Sequence, residues 1–240
     1  MNLYNHLDII FKNIIINNEI SFLDLWNNVN LETKHNFDPN SSIAFKRIVR
    51  SYFLLKYFES IKDKSGDILE VGVFKGFSGL FLEKLDMIHD KNTTRSKIFL
   101  IDSFEGLSEI NEEDYVSENK AFQHKEGHFR VNYEDVKKLF HDKNNVQLIK
   151  GWIPEVFEKL DEKNLYKFVH IDVDLYKPTI TTLNYIFDKV IKGGIIITDD
   201  FDSREFPGNR KAWQEFFTNK NILNSIALPS GQAVYIKNFK

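Results

Sequence analysis

Two apolar runs, each broken off by a pair of carboxylates, limit what this 240-residue chain can fold into. The first reads Val169-His170-Ile171-Asp172-Val173-Asp174-Leu175-Tyr176, and the second Gly193-Gly194-Ile195-Ile196-Ile197-Thr198-Asp199-Asp200. A near-continuous apolar run of this length marks a parallel strand buried on both faces. In an open α/β sheet the ligand sits beyond the carboxyl ends of such strands. Two of them side by side would collect Asp172, Asp174, Asp199 and Asp200 at one edge of one crevice. Four carboxylates in one place repel unless a cation or shared protons compensate them. The pattern predicts a parallel sheet with an acidic edge suited to a hard metal ion.

The rest of the chain fits that sheet. From Gly66 onward, strand patterns at 68–73, 98–101, 146–149, 168–171 and 195–198 alternate with helical patterns at 78–85, 136–140, 180–190 and 211–217. In this reading Gly193-Gly194 closes the third of those helices, and Ile222–Leu228 with Ala233–Ile236 form a closing β-hairpin. Alternation of this kind implies right-handed crossovers and a largely parallel sheet. Ahead of it, Leu7, Ile10, Phe11, Ile14 and Ile15 recur at helical spacing, and a second helix runs from Ile43 to about Lys62. The expected organisation is a helical N-terminal extension over 1–62 and a catalytic domain over 63–240. An acid-rich insert at about 105–130 (Glu105, Glu109, Glu112, Glu113, Asp114, Glu118) is long for a compact domain and reads as a lid.

Composition excludes several classes. A formal net charge of −3 offers no basic field for nucleic acid. With no cysteine there is no disulfide, thiolate metal site or cysteine nucleophile, which suits a reducing cytoplasm. Asp8, Lys12 and Glu19 interrupt the N-terminus, so no secretory signal is expected, and no apolar run approaches the ~18 residues of a membrane helix. Serine and histidine show no nucleophile-elbow spacing.

Two strand ends point to a nucleoside-containing ligand. The first reads Leu69-Glu70-Val71-Gly72-Val73-Phe74-Lys75-Gly76-Phe77-Ser78, where glycine permits a tight turn and the next helix offers unpaired N–H groups. It lacks the third glycine of a dinucleotide fingerprint, and Glu70 suits hydroxyls or an ammonium better than a pyrophosphate. The second reads Phe99-Leu100-Ile101-Asp102-Ser103-Phe104-Glu105-Gly106-Leu107, with Asp102 placed to grip a ribose diol.

These motifs, with Lys150-Gly151-Trp152 and the two aspartate runs, are similar in order and spacing to the macrocin O-methyltransferase family over roughly Gly66 to Phe217. The resemblance implies a Rossmann-like class I methyltransferase: a mostly parallel seven-stranded sheet with a C-terminal antiparallel hairpin. It implies an S-adenosylmethionine-dependent enzyme, assisted by Mg²⁺ or another divalent cation, that methylates a sugar hydroxyl. Glu70, Gly72, Val73, Gly76 and Ser78 fall on the donor loop, and Asp102 and Ser103 at the adenosine ribose. By the same resemblance Gly151 and Trp152 match the positions beside the adenine. Asp172, Asp199 and Asp200 match the metal ligands, with Asp172 also facing the donor, and Asp174 matches the proposed general base. Phe201-Asp202 departs from the family's small residue and Tyr, which leaves the acceptor contact open.

The residues agree with this chemistry. Mg²⁺ takes oxygen ligands and keeps several waters, so two or three carboxylates suffice. A cation beside a hydroxyl lowers its pKa, and transfer from a sulfonium asks mainly for positioning and proton removal. Capping the following helix is the alternative role for Asp174. His170 reads equally as a core histidine, His124 and His128 as possible acceptor contacts, and Phe104, Trp152 and Tyr176 as core or pocket wall. Arg204, Arg210 and Lys211 read first as a solvated surface and secondly as a hold for a phosphate on a nucleotide-linked acceptor. Expected partners are a small-molecule or nucleotide-linked sugar and a second copy of the chain in a dimer or tetramer, since the N-terminal helices carry exposed-looking Ile and Phe. Two rivals are a nicotinamide-dependent sugar oxidoreductase or epimerase and a non-catalytic scaffold. The first is disfavoured by the missing third glycine of the dinucleotide fingerprint, the second by the intact aspartate set.

Overall fold

The computed structural model describes residues 11–38, 41–89, 95–115 and 124–238. Leu7 and Ile10 of the expected first helix, and Glu118 of the insert, lie outside the described residues. The N-terminal segment forms β1 (Ile15–Ile16), β2 (Ile20–Ser21), α1 (Phe22–Glu32) and α2 (Ser42–Ile61). Then come β3 (Asp67–Val71), α3 (Phe77–His89), β4 (Ile98–Asp102), α4 (Tyr133–Leu139), β5 (Val146–Lys150) and β6 (Tyr166–Ile171). The chain closes with α5 (Tyr176–Ile186), β7 (Val190–Thr198), α6 (Pro207–Asn219), β8 (Ile226–Ala227) and β9 (Ala233–Ile236).

Seven strands form one sheet in the order β5-β4-β3-β6-β7-β9-β8. The first five are mutually parallel, and β9 runs antiparallel to both β7 and β8. This is the Rossmann-like sheet with a C-terminal hairpin that the sequence predicts. The chain winds outward from β3 through β4 to β5, then returns to start β6 on β3's other side. The resulting switch between β3 and β6 opens a crevice at their carboxyl ends.

The period-two alternation of side chains sorts the core into two layers. Ile68, Ile98, Leu100, Phe168, Ile195 and Ile197 pack against α1, α2 and α3 through Trp26, Leu55, Phe58, Leu80 and Phe81. Leu69, Val71, Phe99, Ile101, Val169, Ile171 and Ile196 pack against α5 and α6 through Leu183, Ile186, Trp213 and Phe217. The N-terminal extension therefore shares a core with the sheet. Most of its apolar side chains are spent on that contact; Ile15, Leu31 and Ile43 are the large ones left exposed among its described residues.

Three local readings differ from expectation. Ile14 and Ile15 do not continue a helix: Asn17 and Asn18 sit at φ 50° and 58°, a conformation Asn tolerates, and turn the chain so that Ile16 pairs with Ile20. Gly193-Gly194 does not end a helix, because α5 stops at Ile186 and β7 starts at Val190. The glycines instead lie inside β7 at an irregularity in its pairing with β6, where Lys237 accepts from Gly193 N–H and donates its own N–H to Gly194. The hairpin strand expected from Ile222 is only Ile226–Ala227.

Candidate active site

The donor half is built where β3 and β4 end. Gly72 turns at φ 93°, and a Cβ there would overlap the Asp172 carbonyl, so only glycine lets the two strand ends lie this close. The Asp102 carboxylate, at the end of β4, accepts from Val73 N–H at 2.7 Å and Phe74 N–H at 2.8 Å through one oxygen, and from Phe104 N–H at 2.6 Å through the other. It thereby fastens the glycine loop to the neighbouring strand. A carboxylate has about four acceptor sites, so about one remains for a ligand hydroxyl. Gly151 N–H reaches the Asp102 carbonyl at 2.9 Å, which brings Gly151 and a half-exposed Trp152 to the same rim.

These residues open onto a cavity of ≈ 700 Å³. Gly72, Val73, Ser78, Asp102, Ser103, Gly151, Trp152, Asp172, Asp174, Asp199 and Asp200 all line it. Two expected donor-site residues do not. Gly76 makes its turn at φ 85° but packs against Phe140. Glu70 is fully buried on the α3 face of the sheet, where its Oε1 meets His170 Nδ1 at 2.8 Å. Glu70 and His170 are register partners on β3 and β6, which explains the contact. Glu70 acts beneath the cavity, through His170, and not on its wall.

The aspartate half hangs from β6 and β7. Asp199 Oδ1 accepts from Gln232 Nε2 at 2.6 Å and lies 3.0 Å from His170 Nε2, while its Oδ2 accepts from Arg50 Nη1 at 3.0 Å. Arg50 Nη2 donates to Asp200 Oδ1 at 2.9 Å. Arg50 comes from α2 and is buried, so a cation from the N-terminal extension balances the aspartate pair. Arg47, one turn earlier and half-exposed, stands 3.8 Å from Asp199. Asp174 reaches the cluster from a turn at φ 60°, and it shares a hydrogen bond with Asp200. It does not cap α5, whose N-cap Leu175 makes no side-chain bond.

The charges divide accordingly. Burial alone would raise Asp199 and Asp200, but Arg50 overcomes it for both, helped at Asp199 by His170, and holds them below the usual carboxylate range. His170 shifts the other way: despite burial, Asp199 and Glu70 raise it well above its ordinary value, so it stands as an imidazolium between two carboxylates. At Asp172 and Asp174 the pull of Arg47 offsets only part of the opposing effects. Burial and the neighbouring aspartates push Asp172 up to about 8 and raise Asp174 well above its usual value. Oxygens of Asp172, Asp174 and Asp200 all lie within 4.8 Å of one another. Converging carboxylates that hold protons against their ordinary pKa fit a hard divalent cation, which would replace those protons.

The remaining candidates separate. His124 and His128 sit beside one another, with ring nitrogens 2.6 Å apart, and His124 stacks on Phe206 at the cavity wall. Phe104 is core. Tyr176 donates to Glu215 at 2.9 Å, away from the cavity. Arg210 pairs with Asp202 and Lys211 approaches Glu113; neither they nor Arg204 line the cavity. Sequence reasoning missed Arg47, Arg50, Gln232 and His35. For Arg50 a signal existed: an arginine within the apolar stripe Ile48, Leu54, Leu55. Nothing local marks Gln232. His35 lines the cavity among Phe37, Phe74 and Phe77, and burial with Lys75 and Arg47 lowers its pKa to about 4, so it is neutral at pH 7.

The chain is similar to several known proteins. A demethyldecarbamoylnovobiocin O-methyltransferase from Streptomyces niveus is 27% identical over 141 residues, 57% of this chain and 53% of that protein. An 8-demethyl-8-(2,3-dimethoxy-alpha-L-rhamnosyl)-tetracenomycin-C 4'-O-methyltransferase from Streptomyces olivaceus is 26% identical over the same shares. The chain spans about half the length of these curated relatives. In fold, the O-methyltransferase NovP superposes with a TM-score of 0.68 at 22% identity, covering 80% of this chain and 81% of that one. The family model of the macrocin-O-methyltransferases (TylF) matches residues 55–238, most of the chain, and the protein belongs to that family.

Proposed function

We propose that the chain transfers a methyl group from S-adenosylmethionine to a sugar hydroxyl, assisted by a divalent cation. The observation that carries this reading is that one cavity holds both halves: the glycine loop fastened by Asp102, and the aspartate cluster. A relative that acts on a rhamnosyl-bearing substrate at a 4'-hydroxyl supports a sugar as acceptor. The N-terminal segment, through Arg47, Arg50 and Ile43 on the cavity wall, would shape the acceptor side.

S-adenosylmethionine supplies an electrophilic methyl on a sulfonium, and the cation supplies Lewis acidity beside the acceptor oxygen. The chain's own residues do the rest. Asp102 and the loop behind it would orient the donor, Trp152 would form part of its pocket wall, and Asp172 with Asp200 would hold the cation. Asp174 accepts the hydroxyl proton as the oxygen–methyl bond forms and the sulfur–methyl bond breaks. A cation beside Asp172 and Asp200 would displace the protons that burial and like charge keep on the cluster, leaving Asp174 ionised to take the hydroxyl proton.

The third ligand of such a cation would be Asp199 or Asp174. Asp199 Oδ2 keeps a lone pair beyond its Arg50 bond and would leave Asp174 as base; the closeness of Asp174 to Asp172 and Asp200 favours Asp174 as ligand. Calorimetry separates the two: Asp174→Asn keeps Mg²⁺ affinity if Asp174 is the base and loses it if Asp174 is a ligand. S-adenosylhomocysteine should bind the wild type and NAD should not; the reverse would overturn the proposal.

A further inference from the structure

The insert after β4 carries a carboxylate that the reaction does not use. Asp114, in the short 3-10 turn Glu112–Asp114, is fully buried although acidic residues surround it in sequence. Its Oδ1 accepts from Tyr176 N–H at 2.7 Å and its Oδ2 from Asn111 N–H at 3.1 Å. Tyr176 is the first residue of α5, whose N-cap Leu175 offers no side-chain acceptor. A residue about sixty positions upstream thus supplies the cap that α5 lacks, and an anion there also meets the positive end of the helix.

The opposite wall is shaped to receive this carboxylate. At Gly208, in the first turn of α6, a Cβ would overlap Asp114 Oδ1 and stand 2.8 Å from Tyr176 N. The next residue, Asn209, bonds Thr198 and Thr179. Leu107, Leu175 and Phe206 close an apolar cluster over the joint, with Ile110 packed on it. Two residues before Tyr176 stands Asp174, at φ 60° for a non-glycine residue, a conformation that persists only where surrounding contacts hold it. The contacts at this turn include the Tyr176 N–H bond, the buried Leu175, the Leu175 N–H bond to the Val173 carbonyl and the hydrogen bond of Asp174 with Asp200.

We propose that Asp114 is a positioning residue: by capping α5 in the space left by Gly208, it holds the Leu175–Tyr176 turn that presents Asp174 to the cavity. The first half of the insert is then a fixed buttress and not a lid. The proposal rests on the reading of Asp174 given above, but its structural core is testable without it.

Hydrogen exchange over residues 173–179 reads the cap directly. Asp114→Ala should speed exchange there by at least about tenfold, and Asp114→Asn, which keeps Oδ1, should stay within about threefold of wild type. Gly208→Ala, which evicts the carboxylate from the other side, should match Asp114→Ala, and the double variant should add little to either. In turnover, Asp114→Ala and Gly208→Ala should lower kcat on the order of 10- to 100-fold, as for a misplacement of about 1 Å, with S-adenosylhomocysteine affinity within about threefold of wild type. Unchanged exchange overturns the proposal, as does a donor affinity that falls in step with kcat. If Asp114→Ala does not fold, Asp114→Asn and Gly208→Ala still decide it. Faster exchange with full turnover in Asp114→Ala, while Asp174→Asn is inactive, overturns the positioning role alone; an active Asp174→Asn overturns the reading of Asp174 and leaves the exchange result to judge the cap.

Discussion

Arg50→Met is the substitution that tests the charge arrangement most severely. Arg50 is buried and bridges Asp199 at 3.0 Å and Asp200 at 2.9 Å, and both carboxylates are held ionised chiefly because it is there. Methionine fills similar volume but leaves two buried carboxylates without that partner. Breaking a buried pair from one side costs about 3–5 kcal/mol. For a chain of this size each kcal/mol moves Tm by roughly 2–4 °C, which gives a fall of roughly 6–20 °C. Urea denaturation followed by circular dichroism, with and without Mg²⁺, measures the loss. Arg50→Lys keeps the charge but not the two-armed geometry and should lose less. Because the variant site is more negative, Mg²⁺ should stabilise it more than it stabilises the wild type. A loss under about 1 kcal/mol, with no larger response to Mg²⁺, would refute the assignment of Arg50 as the balancing charge.

Further expectations concern pH, the glycine loop and the donor. Asp172 has its pKa raised to about 8 in the fold, against about 4 unfolded, so its contribution is full below pH 4 and is lost as pH rises toward 8; without a cation, Tm should fall across that interval, and saturating Mg²⁺ should flatten the fall. Gly72→Ala must place a Cβ onto the Asp172 carbonyl at φ 93°, and should cost at least about 2 kcal/mol in urea titration together with donor affinity. Asp102→Ala releases three backbone N–H groups of the donor loop, and S-adenosylhomocysteine affinity should fall about 10- to 100-fold by calorimetry.

The parts legible in the sequence were those written in local pattern. The apolar runs ending in aspartates gave β6 and β7, and the glycine and aspartate at the ends of β3 and β4 gave the donor wall, because strand periodicity and turn chemistry act over a few residues. What escaped was contact between distant segments. Arg50 meets Asp199 across 149 positions, Glu70 meets His170 across 100, and Asp114 meets Tyr176 across 62; no spacing rule joins them. Glu70 looked like a ligand contact because it precedes a glycine at a strand end, yet its parity on β3 sends it to the face under α3. Gly193-Gly194 looked like a helix stop because glycine serves that purpose too; only pairing with the backbone of Lys237 reveals a strand irregularity.

In the proposed function donor, cation and sugar meet in one cavity. Transfer of a labelled methyl group from S-adenosylmethionine across a panel of nucleotide-activated and free sugars, with Mg²⁺ and again with a chelator, tests it most directly. The expected result is label on an acceptor hydroxyl with Mg²⁺, abolished by chelation and restored by added cation. Transfer that proceeds undiminished under chelation, and equally in Asp172→Ala, would contradict it.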